Sequence, residues 1–174
     1  MEITKKQLQW LLRATQASKD VAVYWRYVWF APEMAFASNG HRLHSLGIAD
    51  GPVEVVGVTA SSLKKVVKLM DVKATLESFD ILSEPQPTAV LSSGVRAPIE
   101  LSGDVQVPLE ATETLLREAR ERYEEQAGSL LNADYLRDAM DSKFVDVNVY
   151  DALDPAYIRI DDGQAEAIIM PVRR

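Results

Sequence analysis

Met34-Ala-Phe-Ala-Ser-Asn-Gly-His-Arg-Leu-His-Ser-Leu-Gly-Ile48 is the stretch on which the reading of this chain turns. Asn39-Gly40 is a strong signal for a tight hairpin turn, because these two residues tolerate positive φ better than any others. The residues around it predict two antiparallel strands, Met34–Ser38 and Arg42–Ile48. Upstream, Pro32-Glu33 turns the chain, and Asp20–Phe30, dense in β-branched and aromatic residues, predicts another strand. Before that, Lys5 to about Ser18 predicts a helix with Leu8, Leu11 and Leu12 on one face and Thr4 as its N-cap; residues 2–4 predict a short strand.

Downstream the pattern returns. Asp50-Gly51-Pro52 is a break, and Val53–Val58 predicts a strand. Ser61 or Ser62 is placed to cap a second helix running to about Met70, whose Leu63, Val66, Val67 and Met70 follow the i, i+3, i+4, i+7 spacing. Lys73–Leu82, Thr88–Ser92 and Val95–Leu101 predict three more strands. Residues 1–108 therefore hold two helix-plus-strands units of similar order and length, an internal structural repeat without visible residue identity. From Glu110 the composition changes. Residues 110–126 predict a charge-rich helix with a thin apolar stripe of Leu115, Leu116, Ala119 and Tyr123. Asn132 is placed to cap a short helix from Ala133 to about Ser142, and Phe144–Tyr150, Tyr157–Ile160 and Ala165–Val172 predict three closing strands, a third unit. The fold class is α+β, with repeated helix-plus-antiparallel-strands units and helices on one face of the sheets.

The composition excludes several functions. The 174 residues contain no cysteine, which removes disulfides, thiolate metal sites and a thiol nucleophile. His41 and His44 are three apart on a strand and point to opposite faces, so a shared metal is not expected. Asp151–Asp154 and Asp161-Asp162 sit at turn signals, where aspartate serves its own backbone. No glycine-rich phosphate loop, nucleophile elbow or HExxH pattern is present, so no enzyme, cofactor or metal is expected. There is neither an apolar run of about 20 residues nor a signal peptide at Met1-Glu-Ile-Thr-Lys-Lys6, and a cytoplasmic location is expected.

The net charge of −7 argues against nucleic acid only at first sight. Residues 1–108 are neutral, with 11 basic and 11 acidic side chains, and the whole excess falls in 109–174, with 8 against 15. On the second helix Lys64, Lys65 and Lys68 lie opposite the apolar face, with Lys73 just beyond; on the first, Lys5, Lys6 and Arg13 lie mostly away from the leucines. Such a surface is either a solvated face or one that meets DNA phosphates without reading bases.

Ala165-Glu-Ala-Ile-Ile-Met-Pro-Val-Arg-Arg174 resembles the C-terminus of the bacterial sliding clamp, the β subunit of DNA polymerase III, in a shortened, phage-like version. Asn132-Ala-Asp-Tyr-Leu-Arg-Asp-Ala-Met140 and Asp154-Pro-Ala-Tyr-Ile-Arg-Ile160 resemble the helix and strand before it, and Ala37-Ser-Asn-Gly-His-Arg-Leu43 resembles a motif of the family's middle domain. The resemblance implies the DNA-clamp fold. It also implies a complete middle-like domain over 1–108, a connecting charged helix over 109–128, and half of a last domain over 129–174.

Two functions are implied: a ring around duplex DNA, its helices facing phosphates, and capture of polymerase or clamp-loader peptides in a hydrophobic pocket. The pocket would be built from Gly40, His41, Arg42 and Leu43, from Met170, Pro171, Val172 and Arg173 with Ile168 beside them, and from Tyr24 on a looser alignment. The chain departs from the family in length, in Asn39 for the usual Asp and in Arg174 for the final Leu. It holds about three units where a full clamp chain holds six. Three channel-facing helices per chain would call for a tetrameric ring, four for a trimeric one. The alternative implied is a non-ring adaptor or decoy that keeps only the pocket.

Overall fold

The computed structural model describes residues 1–15, 23–121, 133–139, 145–149, 155–160 and 165–171. It opens with β1 (Ile3–Thr4) and α1 (Lys5–Arg13). Thr4 caps α1 as the sequence indicates. Its hydroxyl accepts from the Gln7 N–H, and Gln7 Oε1 accepts from the Thr4 N–H at 2.9 Å, so two donors at the helix start are satisfied reciprocally. The helix ends at Arg13, short of the expected Ser18, with Ala14 as C-cap. Of the expected strand Asp20–Phe30, residues 20–22 lie outside the described residues, Val23–Arg26 is a 3-10 turn, and Tyr27–Phe30 is β2. Aromatic residues suit both states. Here the Trp29 indole N–H donates to the Tyr24 carbonyl at 3.2 Å and fastens the turn onto the strand.

The hairpin is β3 (Met34–Ser38) and β4 (Arg42–Gly47), paired from Met34↔Gly47 to Ser38↔Leu43. Asn39 Oδ1 accepts from the backbone N–H groups of His41 and Arg42, both at 3.1 Å, which closes the turn. Gly40 is required twice over. Its φ is +82°, and a Cβ there would lie 2.4 Å from the Trp25 ring.

β5 (Val56–Thr59) leads into α2 (Ala60–Leu69). The cap is Thr59, not Ser61 or Ser62: Thr59 Oγ1 accepts from the Ser62 N–H at 3.3 Å. The buried Ser62 hydroxyl serves a different carrier, accepting from the Glu100 N–H at 3.0 Å. β6 (Thr75–Asp80), β7 (Thr88–Leu91) and β8 (Arg96–Pro98) follow, then α3 (Leu109–Glu121), α4 (Ala133–Ala139), β9 (Val145–Val149), β10 (Ala156–Ile160) and β11 (Ala165–Ile169).

The three-fold pattern of one helix followed by three strands is present: α1 with β2–β4, α2 with β6–β8, α4 with β9–β11. The first two units exchange their leading strands. β1, ahead of α1, pairs with β6; β5, ahead of α2, pairs with β2. All pairings are antiparallel, in a four-stranded sheet ordered β1-β6-β7-β8 and a seven-stranded sheet ordered β5-β2-β3-β4-β11-β10-β9. In the larger sheet β4 meets β11, so the hairpin and the last described strand are neighbours, from Arg42↔Ile169 to Leu46↔Ala165.

Strand periodicity sorts the larger sheet into two buried faces. On one, Val28, Phe30, Ala35, Ala37, Leu46, Ile158, Ala167 and Ile169 pack with α1, α2, Ala139 of α4, and Leu76 and Leu91 of the smaller sheet. On the other, Trp29, Phe36, Leu43, Tyr157 and Ile168 pack with Leu116 of α3. The three unit helices thus share one face, while the connecting helix α3 lies on the opposite face. Each large side chain so buried contributes roughly 1.5–3 kcal/mol.

Candidate peptide pocket and nucleic-acid interface

On the α3 face the sequence-indicated pocket residues divide. Leu43 and Tyr24 line one cavity of about 170 Å³, together with Trp25, Trp29, Phe36, Ser38, Pro108, Ala111, Thr112 and Leu115. Gly40 abuts this cavity through its close approach to the Trp25 ring. Ile168, the register partner of Leu43, is buried in the same apolar cluster.

At the end of the β4–β11 ladder the Met170 N–H donates to the His41 carbonyl at 2.9 Å, which fixes Met170, 40% exposed, beside the exposed His41. The His41 ring stacks on Tyr135 of α4 with centroids 6.1 Å apart. Pro171 follows, half-buried; Val172 and Arg173 lie outside the described residues. His41, Tyr135 and Met170 thus cluster at the end of the ladder, apart from the residues that line the cavity.

Arg42 turns the other way. Its guanidinium pairs with Asp138 of α4, donates to the Arg13 carbonyl of α1, and lies 4.8 Å from the centre of the Tyr135 ring. It therefore places the turn and Tyr135 and does not line the cavity. Trp25, Trp29, Ser38, Pro108, Leu115 and Tyr135 are not among the site residues that sequence reasoning names. Tyr135 was within reach, since it stands inside the Asn132–Met140 motif.

α3 is held down by charge as well as by Leu116. Arg120 forks onto the carboxylate of Glu166 on β11, Nε to Oε1 at 2.8 Å, with the second nitrogen on Oε2. The Tyr157 hydroxyl donates to Oε1 as well. Glu166 is 7% exposed. Burial, reinforced by the carboxylate, raises the Tyr157 hydroxyl above its ordinary pKa, and the Glu166 hydrogen bond raises that of Arg120.

The helix face of the sheet carries the basic residues. α1 and α2 contain no acidic residue. Between them runs an open groove of about 490 Å³ lined by Gln9, Leu12, Arg13, Lys64, Val67 and Lys68. Lys6, Arg13, Lys64, Lys65, Lys68 and Lys73 are exposed. Lys5 is half-buried, and its Nζ donates to the Met70 carbonyl at 2.7 Å, tying the start of α1 to the end of α2. α4 sits against α1, where the Trp10 indole N–H donates to the Ala139 carbonyl at 3.1 Å. Among the described residues no cluster of metal-type side chains occurs, and no helix is long and apolar enough to cross a membrane.

This arrangement defines a class: the chain has the DNA-clamp fold. Solved structures place it beside bacterial clamps. It aligns over 100% of its length with the DNA polymerase sliding clamp of Pseudomonas aeruginosa, at 15% identity and a TM-score of 0.67, covering 66% of that chain. With a putative DNA polymerase III β subunit from Eubacterium rectale the figures are 100%, 13%, 0.64 and 65%. With the P. aeruginosa clamp bound to griselimycin they are 100%, 16%, 0.67 and 65%. No sequence family and no curated protein matches the chain. The chain thus spans just under two-thirds of the length of the solved clamps it matches.

Proposed function

We propose that this protein is a sliding-clamp-like processivity factor, not an enzyme: it binds duplex DNA without reading sequence and captures polymerase or clamp-loader peptides. The observation that carries the reading is the β4–β11 pairing. It draws two segments far apart in the chain, the Gly40–Leu43 turn and Met170-Pro171, side by side, and Leu43 of that seam lines an apolar cavity. A cavity of about 170 Å³ walled by indole and leucine, with Ser38 and Thr112 among its lining, suits one Leu or Phe anchor of an extended peptide.

The DNA reading rests on the opposite side. Two neighbouring helices with no acidic residue and a Lys/Arg-lined groove supply phosphate contacts, while the excess acid of 109–174 lies elsewhere in the chain. The location of α3 on the other face leaves three of the described helices, α1, α2 and α4, for a channel, which favours a tetrameric homo-oligomeric ring over a trimeric one. Retention on closed circular duplex, with release when it is linearised, tests the ring. Peptide capture is tested with a labelled Leu/Phe-bearing peptide against the whole chain, a chain truncated before Met170, and Tyr24→Ala; both changes should weaken capture.

A second reading keeps only the pocket side of the molecule, where β4 and β11 pair directly and Leu43 and Ile168 share one apolar cluster. On that reading the protein is a cytoplasmic adaptor or decoy. Peptide capture without retention on circular DNA selects it.

A further inference from the structure

A second cavity, of about 500 Å³, lies between α3 and the sheet. Leu109, Glu113, Leu116 and Arg120 fall at i, i+4, i+7 and i+11, one stripe of the helix, and all four line it. The cavity that holds Leu43 and Tyr24 takes a different stripe, Ala111, Thr112 and Leu115. Across from α3 the wall is the β2–β3 turn, from Ala31 to Met34, with Ser45 and Gly47 of β4. That turn is pinned. The Ala31 N–H donates to the Met34 carbonyl at 2.8 Å, and the Pro32 and Glu33 carbonyls accept from the Gly51 and Ile48 N–H groups, both at 2.9 Å. Glu33 is therefore carried on a fixed backbone.

The members of the α3 stripe differ in what they meet. Leu116 is buried in the apolar cluster, and Leu109 packs against it. Arg120 is committed to Glu166. Glu113 has no counter-charge among the described residues, and neither has Glu33. The lining thus holds three carboxylates against one guanidinium, over an apolar floor that includes Ala31, Met34 and Leu116. A separate signal comes from Ser45, only 3% exposed yet part of the wall. Its hydroxyl donates to the Met34 sulfur at 3.8 Å, a weak acceptor, and no described donor reaches its lone pairs. A buried hydroxyl in that state calls for a donor from outside. Glu33, Gly47 and Glu113 are exposed, so the cavity is open to solvent.

We infer that this cavity is a subsite for one arginine side chain, presented by a basic segment of a partner protein. The match is chemical. A guanidinium carries five donors and no acceptor, which suits two carboxylates without counter-charges and a hydroxyl with unused lone pairs. Its aliphatic stem suits the half-buried Met34 and Leu109. An anion would meet the carboxylates, and a wholly apolar group would leave them and Ser45 unanswered. The inference goes beyond the Leu/Phe anchor proposed for the Tyr24 cavity and fails separately from it.

The probe is a capped Gly-Arg-Gly peptide, titrated into the whole chain and followed by calorimetry and by amide chemical shifts. Its twin carries citrulline, which has nearly the same shape and no charge. The arginine peptide should bind with a dissociation constant of about 1 mM or below, and the citrulline peptide at least about tenfold more weakly. Glu33→Gln with Glu113→Gln should weaken the arginine peptide at least about tenfold, and Ser45→Ala about threefold. Near-ultraviolet circular dichroism of the glutamine variant should match that of the native chain, since both side chains are exposed. Amide shifts should move at Glu33, Gly47 and Glu113 and stay in place at Ser38 and Leu43, which line the other cavity. No saturable binding of the arginine peptide at about 10 mM overturns the proposal. So does equal binding of the citrulline twin, a glutamine variant that binds as the native chain does, or shifts scattered over the acidic surface away from Glu33 and Glu113. Capture of the Leu/Phe-bearing peptide should be the same in the glutamine variant, so either site can fail while the other stands.

Discussion

His44 and Glu166 are buried polar residues on opposite faces of the same sheet, on strands that touch, and they are handled in opposite ways. His44, on the helix face, is fully buried and uncharged. Its ring stacks on Trp10 with centroids 4.2 Å apart, and its Nδ1–H donates to the Trp10 carbonyl at 2.8 Å. Burial outweighs that hydrogen bond, and with help from the nearby Arg42 it holds the imidazole down at about 3. Glu166, on the α3 face, stays paired with Arg120 and Tyr157. One face joins helices to sheet by a broad apolar packing and a neutral hydrogen bond, with the Arg42–Asp138 pair added at the end of β4. The other joins a single helix to the sheet by an ion pair at the end of a narrow apolar stripe. The helix face should therefore carry most of the stability, and the α3 face should be the one that loosens first.

Trp10→Ala attacks the helix face where α1, β4 and α4 meet. It removes the stacking partner of His44 and the donor to the Ala139 carbonyl. The expected loss is about 3–5 kcal/mol, read as a fall in the urea midpoint. A loss no larger than that of the next variant would break the comparison. That variant is Arg120→Ala, which leaves the Glu166 carboxylate buried with only Tyr157. Arg120 is 55% exposed, so solvent already screens part of the pair, and the expected loss is about 2 kcal/mol. Hydrogen exchange should rise in Leu109–Glu121 and stay unchanged in α1.

His44→Phe sharpens the comparison through pH. In the folded chain His44 takes up a proton only near pH 3, whereas in the unfolded chain it does so at 6.5. Between these values the unfolded state binds more protons, so native stability falls as pH falls through 6.5, by at most about 1.4 kcal/mol per unit. The phenylalanine variant lacks this slope. Its deficit at pH 7, where the Trp10 carbonyl is left without its partner, should shrink at pH 6 and again at pH 5. Parallel profiles would show that His44 does not stay neutral in the fold.

The same two faces explain which parts of the structure were legible in the sequence. The hairpin was, because Asn39-Gly40 is a local signal confirmed by local hydrogen bonds. The helices were, because their apolar spacing is long enough to read. The place of α3 was not. Leu115, Leu116 and Ala119 make too thin a stripe to name a partner, and that partner is a strand face assembled from β2, β3, β4, β10 and β11. Yet Ala35-Phe36-Ala37, buried residue after residue, is the mark of a strand covered on both sides. The Val23–Arg26 turn was hidden because β-branched and aromatic residues also suit a strand. Resemblance reads Gly40-His-Arg-Leu43 as one pocket motif, but a period of two splits it. Leu43 faces α3, and Arg42 turns toward α1 and α4.

The smallest effect on folding should come from the residues proposed to matter most for DNA. Lys64 and Lys68 lie on the helix face but at its solvent side, flanking the α1–α2 groove. Neither donates a hydrogen bond on which the packing of that face depends, so Lys64→Glu with Lys68→Glu should change stability by no more than about 0.5 kcal/mol. Retention on duplex should respond quite differently. Each phosphate no longer neutralised by a lysine lowers the slope of log affinity against log salt by about 0.9, so the pair should reduce it by close to 2 and weaken binding equally on unrelated sequences. A change in sequence preference would mean base contacts, which a sliding surface must avoid. An unchanged slope would leave these lysines as a solvated face, and the helix side of the molecule would then be a packing surface only.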